Sequence, residues 1–175
     1  MRLENTGREM EKEMSKMGKT LVVYYSRGGN TRKVGNEIAN ILHAEIEEIV
    51  PLKEKKGIID WIISGRQGMS GEVVDIKPAN KNPQDYDLVV VGTPIWAGYL
   101  SSPTRKYLRE KRGKFRKVAF FSTASDDSGE RAFKQMEEEC GVSPVAVHGF
   151  RLGHTKRATK EEISEFANKL KEKED

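Results

Sequence analysis

At residues 20–31 the chain reads TLVVYYSRGGNT. The apolar half of this stretch, Leu21 to Tyr25, is short and unbroken, which is typical of a strand buried on both faces of a sheet. The polar half contains two adjacent glycines, and residues 34–42 then place apolar side chains on one helical face. The stretch therefore predicts a buried strand, a tight polar loop and a helix.

The same alternation continues along the chain. Further strands are predicted by apolar runs at residues 45–50, 88–91, 118–121 and 145–147. Helices are predicted by apolar residues at helical spacing in segments 58–63, 103–108, 132–140 and 159–170. Ser102 before Pro103 and Thr159 before Glu162 are expected to cap two of these helices. Because alternating strands and helices form parallel sheets, we expect an α/β fold: a three-layer, doubly wound sandwich around a five-stranded parallel sheet.

Length and composition indicate one main domain. The chain has 175 residues, and domains usually contain about 100–150 residues. Residues 1–18 have few of the aromatic and branched residues of a core segment, so they are expected to form an N-terminal extension, with the domain at residues 19–175. The net charge of +4 is too small to predict a nucleic-acid partner by itself.

Cysteine content and hydropathy indicate the compartment. The chain has one cysteine, Cys140, so it has no disulfide framework. No apolar run approaches the roughly 18 residues of a membrane span, and the charged N-terminus does not resemble a signal peptide. We therefore expect a cytoplasmic protein that does not bind membranes.

The loop from Ser26 to Thr31 leads into a helix N-terminus, which presents unpaired backbone N–H groups and the positive end of the helix dipole. Gly28 and Gly29 let the backbone wrap closely around a phosphate. The alternative is an ordinary turn capped by Asn30, which would not need the hydroxyls of Ser26 and Thr31. The loop predicts an anion site, although it lacks the Gly-Lys-Ser/Thr of a P-loop.

Two further loops predict the rest of a ligand site. Trp96 lies in a loop rich in Pro and Gly, and its ring is placed to cover a flat aromatic ligand. The alternative is that Trp96 or Tyr99 folds back onto the helix after Pro103. Residues 122–129 supply hydroxyls and acceptors for the polar edge of a heterocycle, or for capping the next helix. Because parallel strands end at one edge of a sheet, the three loops are expected to meet there.

Together these loops resemble those of the flavodoxin family, over about residues 19–171. The pattern Tyr25-Ser26-x-x-Gly29-Asn30-Thr31 is similar to the family's phosphate loop, and residues 86–96 (YDLVVVGTPIW) resemble the segment whose Trp flanks the isoalloxazine. The resemblance implies the strand order 2-1-3-4-5 and FMN as the cofactor. The residues it implies as FMN contacts are Ser26, Arg27, Gly28, Gly29, Asn30, Thr31, Thr93, Pro94, Ile95, Trp96, Ala97, Gly98, Ser122, Thr123, Ala124 and Asp127.

Two positions depart from the family pattern. Gly28 stands where the family often has a hydroxyl, which removes a potential phosphate contact. Ala97 stands where many members have the glycine that follows the flanking aromatic residue, and Gly98 comes next. Having alanine instead of glycine at position 97 bears on how well the protein would stabilise a flavin that has accepted one electron.

The function that the resemblance implies is electron transfer, with FMN carrying the redox chemistry and no side chain acting as a catalytic acid or base. Whether the chain is also an enzyme stays open. The main alternative is an FMN-dependent NAD(P)H or quinone-type oxidoreductase on the same fold, with flavodoxin-like protoporphyrinogen oxidases as a narrower case. Such an enzyme would need a second pocket over the flavin. A flavin-free protein that binds nucleic acid through residues 105–117 is the third hypothesis.

Two other classes of protein with this topology are excluded, each by the residue that stands at one position. A response regulator needs an acceptor Asp after the third strand, where Thr93 stands. A low-molecular-weight phosphatase needs Cys-x5-Arg, but Ala146 stands six residues after Cys140. No pair of histidines or carboxylates has metal-ligand spacing, and His43, His148 and Cys140 are interpreted as structural.

Basic residues cluster in two segments. Residues 105–117 contain eight Lys and Arg and one acidic residue, Glu110, which suits either a solvated helix end or a docking surface. Arg151, His154, Lys156 and Arg157 follow the last strand, so they should lie at the ligand edge. The second segment predicts docking of an acidic redox partner protein, whereas the enzyme alternative would bind NAD(P)H or a quinone.

Overall fold

A computed structural model describes residues 18–52, 73–125, 129–152 and 158–173. Its strands are β1 (Thr20–Tyr24), β2 (Glu45–Glu48), β3 (Leu88–Trp96), β4 (Tyr99–Leu100), β5 (Lys117–Ala124) and β6 (Ala146–Arg151). Its helices are α1 (Asn30–Leu42), α2 (Ser102–Glu110), α3 (Glu130–Cys140) and α4 (Lys160–Lys171). The predictions that lie outside the described residues are the extension up to residue 17, the helix at 58–63, and the roles of Asp127, His154, Lys156 and Arg157.

The sheet has the predicted parallel order. Its path is β2-β1-β3-β5-β6, and every neighbouring pair along that path is parallel. This is the order 2-1-3-4-5 when the two-residue β4 is left out, so the α/β fold and strand order are confirmed. Strand β4 was not predicted, and it pairs antiparallel with the end of β3. The order reverses between β1 and β3, which is where doubly wound folds open a crevice for ligands.

Two apolar cores lie on opposite faces of the sheet, as its alternating side chains require. On one face, Val22 packs in a cluster with residues of α1 and α4, among them Ile38 and Phe166. On the other face, Val23 packs in a cluster with residues of α2 and α3, among them Met136. Helices therefore cover both faces of β1, and the molecule has the three layers expected of a doubly wound sandwich.

Three strands, β3, β5 and β6, are longer than their apolar runs predict, and in β3 and β6 the extension passes a glycine. Strand β3 continues past Gly92 to Trp96, because residues 93 and 94 pair with β5. Strand β6 extends to Arg151 through Gly149, since it pairs with β5 up to Ala124. Hydrogen bonding to a neighbouring strand thus carries both strands through residues that interrupt the apolar pattern.

The helix caps agree in part with the prediction. Thr159 caps α4, and its hydroxyl accepts a hydrogen bond from the Glu162 amide at 3.1 Å. Helix α2 begins one residue earlier than predicted, with Ser101 rather than Ser102 at the cap. The Ser101 hydroxyl lies 2.9 Å from both the Thr93 and Thr104 hydroxyls, so a tertiary contact to β3 fixes the start of this helix.

Gly92 leaves space for the Phe121 ring to pack against strand β3 at the centre of the sheet. It pairs with Phe121 of β5 in the parallel register. A Cβ atom at position 92 would lie 2.1 Å from Cζ of Phe121, whose side chain is fully buried. The ring therefore occupies the space that any side chain at this position would need.

Most basic side chains of the segment 105–117 have partners within the fold. Arg105 and Arg109 both contact the Glu139 carboxylate, at 2.8 and 2.5 Å. Arg112 donates to backbone carbonyls near the end of α3, and Arg116 pairs with Asp87 at 2.9 Å. Lys106 and Lys117 also contact acceptors of the chain. These contacts give six of the eight basic side chains a structural role.

Replacing Glu139 with glutamine is expected to lower the free energy of unfolding by about 2 kcal/mol at pH 7, because Arg105 is buried and loses its counter-charge. Burial alone would raise the pKa of Glu139, but hydrogen bonds from Arg109 and Arg105 outweigh it and lower the pKa below 4.5. The stabilisation is therefore present above about pH 4.5 and lost as the pH falls through the lowered pKa.

Urea unfolding at a series of pH values measures this difference. The control is Glu138→Gln on the same helix, where the side chain is exposed and little change is expected. A difference between wild type and Glu139→Gln that stays constant down to pH 3 would contradict the ion-pair explanation.

Candidate functional site

A cavity of about 500 Å³ opens at the carboxyl ends of the parallel strands. Its volume lies within the roughly 300–1,000 Å³ typical of small-molecule sites. Segments that follow β1, β5 and β6 line it together with the β3–β4 hairpin. The described lining residues are Arg27, Gly28, Asn30, Thr31, Pro94, Ile95, Trp96, Ala97, Gly98, Thr123, Ala124, Ser125 and Leu152.

The start of α1 forms the polar end of the cavity. Gly29 occupies the cap position with φ of 85°, a left-handed conformation that glycine adopts without steric cost. Glycine has no side chain to accept from the first-turn amides, so this cap leaves those N–H groups available to a ligand. Asn30 and Thr31 begin the helix and line the cavity, which places the positive end of the helix dipole there.

Hydroxyl groups connect the first and third loops below the cavity. The Thr31 and Thr123 hydroxyl oxygens are 2.8 Å apart and buried, which fixes the start of α1 against the end of β5. The buried hydroxyls of Ser26 and Ser122 have no hydrogen-bond partner within the described residues. Buried hydroxyls rarely remain unpaired, and Ser26 directly precedes the lining residue Arg27, so its hydroxyl is available to a polar ligand or to bound water. The Ser122 hydroxyl instead lies beside Gly129, at the start of α3.

The β3–β4 hairpin forms the aromatic wall of the cavity. Its two-residue turn has φ of 51° at Ala97 and 80° at Gly98, the positive values that a type I′ hairpin turn requires. A left-handed alanine costs roughly 1–2 kcal/mol, so pairing of the flanking strand residues must hold the turn in place. The Leu100 amide donates to the Gln135 side chain at 3.0 Å, which fastens the hairpin to α3.

Trp96 is half-buried and contacts two residues of the first loop. Its ring centre lies 5.9 Å from that of Tyr25, with the rings nearly perpendicular. The Arg27 guanidinium lies over the Trp96 ring, with Cζ 5.9 Å from the ring centre. The indole therefore stands at the cavity, and the alternative in which Trp96 packs away on the following helix is not observed.

The sequence matches a known family over most of its length. A family model described as Flavodoxin covers residues 19–170. The chain belongs to the flavodoxin family. This result confirms the resemblance drawn from the three loops. No curated protein gives a significant match to the chain.

Solved structures include several with the same flavodoxin fold. A flavoprotein from Lactobacillus acidophilus NCFM, solved in complex with FMN, is 26% identical, with a TM-score of 0.64 over 75% of this chain and 93% of that chain. Oxidised Flavodoxin 2 from Bacillus cereus is 19% identical, with a TM-score of 0.53, and the match covers 89% and 99%. Two-electron reduced Megasphaera elsdenii flavodoxin is 18% identical, with a TM-score of 0.52, and the match covers 86% and 98%. The last two show the fold alone.

Most of the residues that the flavodoxin resemblance implies lie around this one cavity. Those that line it are Arg27, Gly28, Asn30, Thr31, Pro94, Ile95, Trp96, Ala97, Gly98, Thr123 and Ala124. Ser26, Gly29, Thr93 and Ser122 lie outside the lining set, and Asp127 lies outside the described residues. The Thr93 hydroxyl is fully buried and contacts Ser101, which joins β3 to α2.

Two lining residues were not among those predicted for this flavodoxin-family site. Ser125 belongs to the predicted third loop but was not singled out. Leu152 follows β6, and its amide donates to the Ala124 carbonyl at 2.6 Å, which extends the sheet to the cavity. Its position after the last parallel strand was the available signal, because every strand of such a sheet ends at the ligand edge.

Proposed function

We propose that this flavodoxin-family chain binds FMN without a covalent bond and transfers electrons. One observation carries the proposal: an uncapped helix N-terminus and the Trp96 indole line the same cavity. A phosphomonoester suits the first feature, and a flat ring system suits the second. The likeness to a flavoprotein solved in complex with FMN supports the same ligand.

The residues present suit the parts of FMN. The buried, unpaired hydroxyl of Ser26 precedes the loop, and we assign the phosphate to it and to the amides and side chains of residues 27–31. We assign the isoalloxazine to the wall at residues 93–98, with Trp96 against the ring. Ser122, Thr123, Ala124 and Asp127 are assigned to its polar edge. The described residues contain no group of three or more metal-ligating side chains.

The chemistry divides between ligand and protein. FMN, when bound, supplies the redox chemistry. In this proposal the protein binds the phosphate through the loop at residues 26–31, excludes water from one side of the ring with Trp96, and holds the third loop in place through the Thr31–Thr123 contact. These functions need no catalytic acid or base.

Absorbance spectroscopy after gel filtration tests the proposed cofactor. The protein mixed with excess FMN is expected to retain the two flavin bands and to bind FMN with Kd of about 1 µM or tighter. Titration calorimetry gives the affinity, and riboflavin, which lacks the phosphate, is the matched ligand. Colourless protein after the column, with no heat of FMN binding, would overturn the proposal.

Transfer to a protein partner is favoured over turnover of a small molecule. The enzyme alternative would form its second pocket from residues 57–71, which lie outside the described residues, or from Tyr99. The Arg131 guanidinium lies over the Tyr99 ring, with Cζ 5.1 Å from its centre. Arg151 is exposed next to the cavity residue Leu152, and Lys156 and Arg157 follow in the sequence. We infer that an acidic redox protein docks at this end of the cavity.

The FMN-loaded protein is expected to show no steady-state NAD(P)H oxidation with a quinone acceptor. Its electron transfer to acidic proteins is expected to slow as salt increases, because screening removes the attraction. Sustained turnover with a quinone would favour the oxidoreductase instead. None of the helices in the described residues has the length and apolar character needed to cross a membrane.

A further inference from the structure

Strand β4 is held in place by few contacts with the rest of the sheet. It has two residues, Tyr99 and Leu100, and within the described part of the chain its one strand neighbour is β3. The turn that joins it to β3 contains Ala97 with φ of 51°, a conformation that alanine disfavours. A hairpin this short, with such a turn, needs support from outside its own two strands.

One side chain of α3 supplies that support. In an antiparallel pair, opposed residues alternate between those that exchange hydrogen bonds and those whose amides point away from the partner strand. Trp96 and Tyr99 flank the turn, so the amide of the next residue, Leu100, points away from β3. This amide donates to Oε1 of Gln135 at 3.0 Å, and Leu100 itself is fully buried. Gln135 therefore takes the place that a further strand would occupy beside β4.

The helix that carries Gln135 is fixed independently of the hairpin. One turn further along the same face of α3, Glu139 contacts Arg105 and Arg109 of α2. On the buried side of α3, Met136 packs in the core. A change that removes only the acceptor at position 135 should therefore release the hairpin and leave the helix in place.

The hairpin in turn sets where the indole lies. Trp96 is the last residue of β3, directly opposite Tyr99 of β4. Its ring is half-buried and stands at the cavity, whereas Gln135 is not among the lining residues. An effect of Gln135 on a bound ring would therefore have to pass through the hairpin.

We propose that Gln135 is a positioning residue, which holds the β3–β4 hairpin through the Leu100 amide and so keeps the Trp96 indole in place for the flavin ring. The inference rests on the proposed function and deepens it, because it adds a residue that lies outside the cavity. Gln135 acts through Trp96, so its contribution to FMN binding requires the indole to be present.

A double-mutant cycle measured by titration calorimetry tests this dependence. Gln135→Met removes the acceptor but keeps a side chain of similar length, and it is expected to weaken FMN binding about fivefold. In a Trp96→Ala background the same change is expected to weaken FMN binding less than about twofold, since the indole that Gln135 positions is absent. A general structural defect would weaken binding by the same factor in both backgrounds.

Hydrogen exchange of the Leu100 amide follows the hairpin in the protein without FMN. Gln135→Met is expected to speed this exchange about tenfold or more, because the hairpin opens more often. Gln135→Glu keeps an oxygen acceptor and should retain the wild-type exchange rate. At about 0.15 M salt, which screens the added charge, it should also retain most of the FMN affinity.

The matched control is Lys134→Met, which places the same side chain at an exposed position of α3 whose amine contacts Glu130. It should change neither the FMN affinity nor the exchange of the Leu100 amide. Thermal unfolding of each variant shows that it folds, and Gln135→Ala removes the same acceptor if Gln135→Met does not fold.

Equal losses of FMN affinity in both backgrounds would overturn the inference, since they would show that Gln135 does not act through Trp96. Unchanged FMN affinity in Gln135→Met, or unchanged exchange of the Leu100 amide, would also overturn it. In each of these cases wild-type protein that binds FMN leaves the proposed function standing. Wild-type protein that does not bind FMN would instead overturn the proposed function, and this inference with it.

Discussion

Replacing Gly92 with alanine is expected to lower the free energy of unfolding by about 3 kcal/mol or more. The new Cβ would lie 2.1 Å from Cζ of Phe121 and within 2.6 Å of two other atoms of the same ring. Phe121 is fully buried between the two strands that flank it, so its ring cannot move without displacing other core residues. For a chain of this size the melting temperature should fall by roughly 6–12 °C.

Urea and thermal unfolding measure this effect. Gly28→Ala is the matched control for stability, because no heavy atom lies within 4 Å of the Cβ position there. The double variant Gly92→Ala with Phe121→Leu should cost less than the sum of its single changes, since the smaller side chain leaves room for the methyl group. Additive costs would show that the clash with Phe121 is not the cause.

Replacing Trp96 with alanine is expected to weaken FMN binding roughly 10- to 100-fold. The estimate follows from stacking of a heterocycle on an aromatic side chain, which contributes about 1–3 kcal/mol in alanine substitutions. Trp96 lines the cavity on a hairpin that is fastened to α3, so the ring is in place before a ligand binds. Fluorescence or calorimetric titration with FMN measures the change.

The control for Trp96 lies on the same hairpin. Tyr99 pairs directly with Trp96 across the two-residue turn, but it is not among the lining residues, so Tyr99→Ala should leave FMN affinity within about threefold. Trp96→Phe should retain part of the affinity because an aromatic face remains. If Trp96→Ala and Tyr99→Ala weakened FMN binding equally, the indole would not be the wall against which the flavin lies.

The two experiments examine the same strand for different reasons. Strand β3 carries Gly92 in its buried centre and Trp96 at the ligand edge. Gly92 packs closely against Phe121 where β3 pairs with β5. The same strand β3 ends with residues 94–96, which line the cavity. Stability of the sheet and geometry of the candidate site therefore depend on one continuous element.

The sequence was sufficient to predict the architecture because a strand that is buried on both faces of a sheet is apolar throughout. Runs such as residues 88–91 and 118–121 are apolar throughout, and amphipathic segments between them fix the alternation of strands and helices. The loops after the strands then predicted the cavity, since parallel strands deliver their carboxyl ends to one edge. Trp96 and Thr31 lie at that cavity, and the family match agrees with the resemblance.

Strand ends and hairpin geometry were less accessible to prediction. Strand β3 passes through Gly92 and Pro94, two residues that ordinarily end strands, because β5 pairs with it there. The short β4 has no apolar run of its own and exists through its pairing with β3. Ala97 adopts a positive φ that its residue type disfavours, and the pairing on both sides of the turn compensates.

By itself, the sequence determined the class of fold, the strand order implied by the family resemblance, and the three loops that meet at the ligand edge. These follow from hydrophobic periodicity and short motifs, which act over a few neighbouring residues. Only the tertiary structure decided that the Thr93 hydroxyl contacts Ser101, that Glu139 contacts both Arg105 and Arg109, and that Arg27 lies over Trp96. Those contacts join residues of different elements, and their partners are set by how the elements pack, which no local pattern encodes.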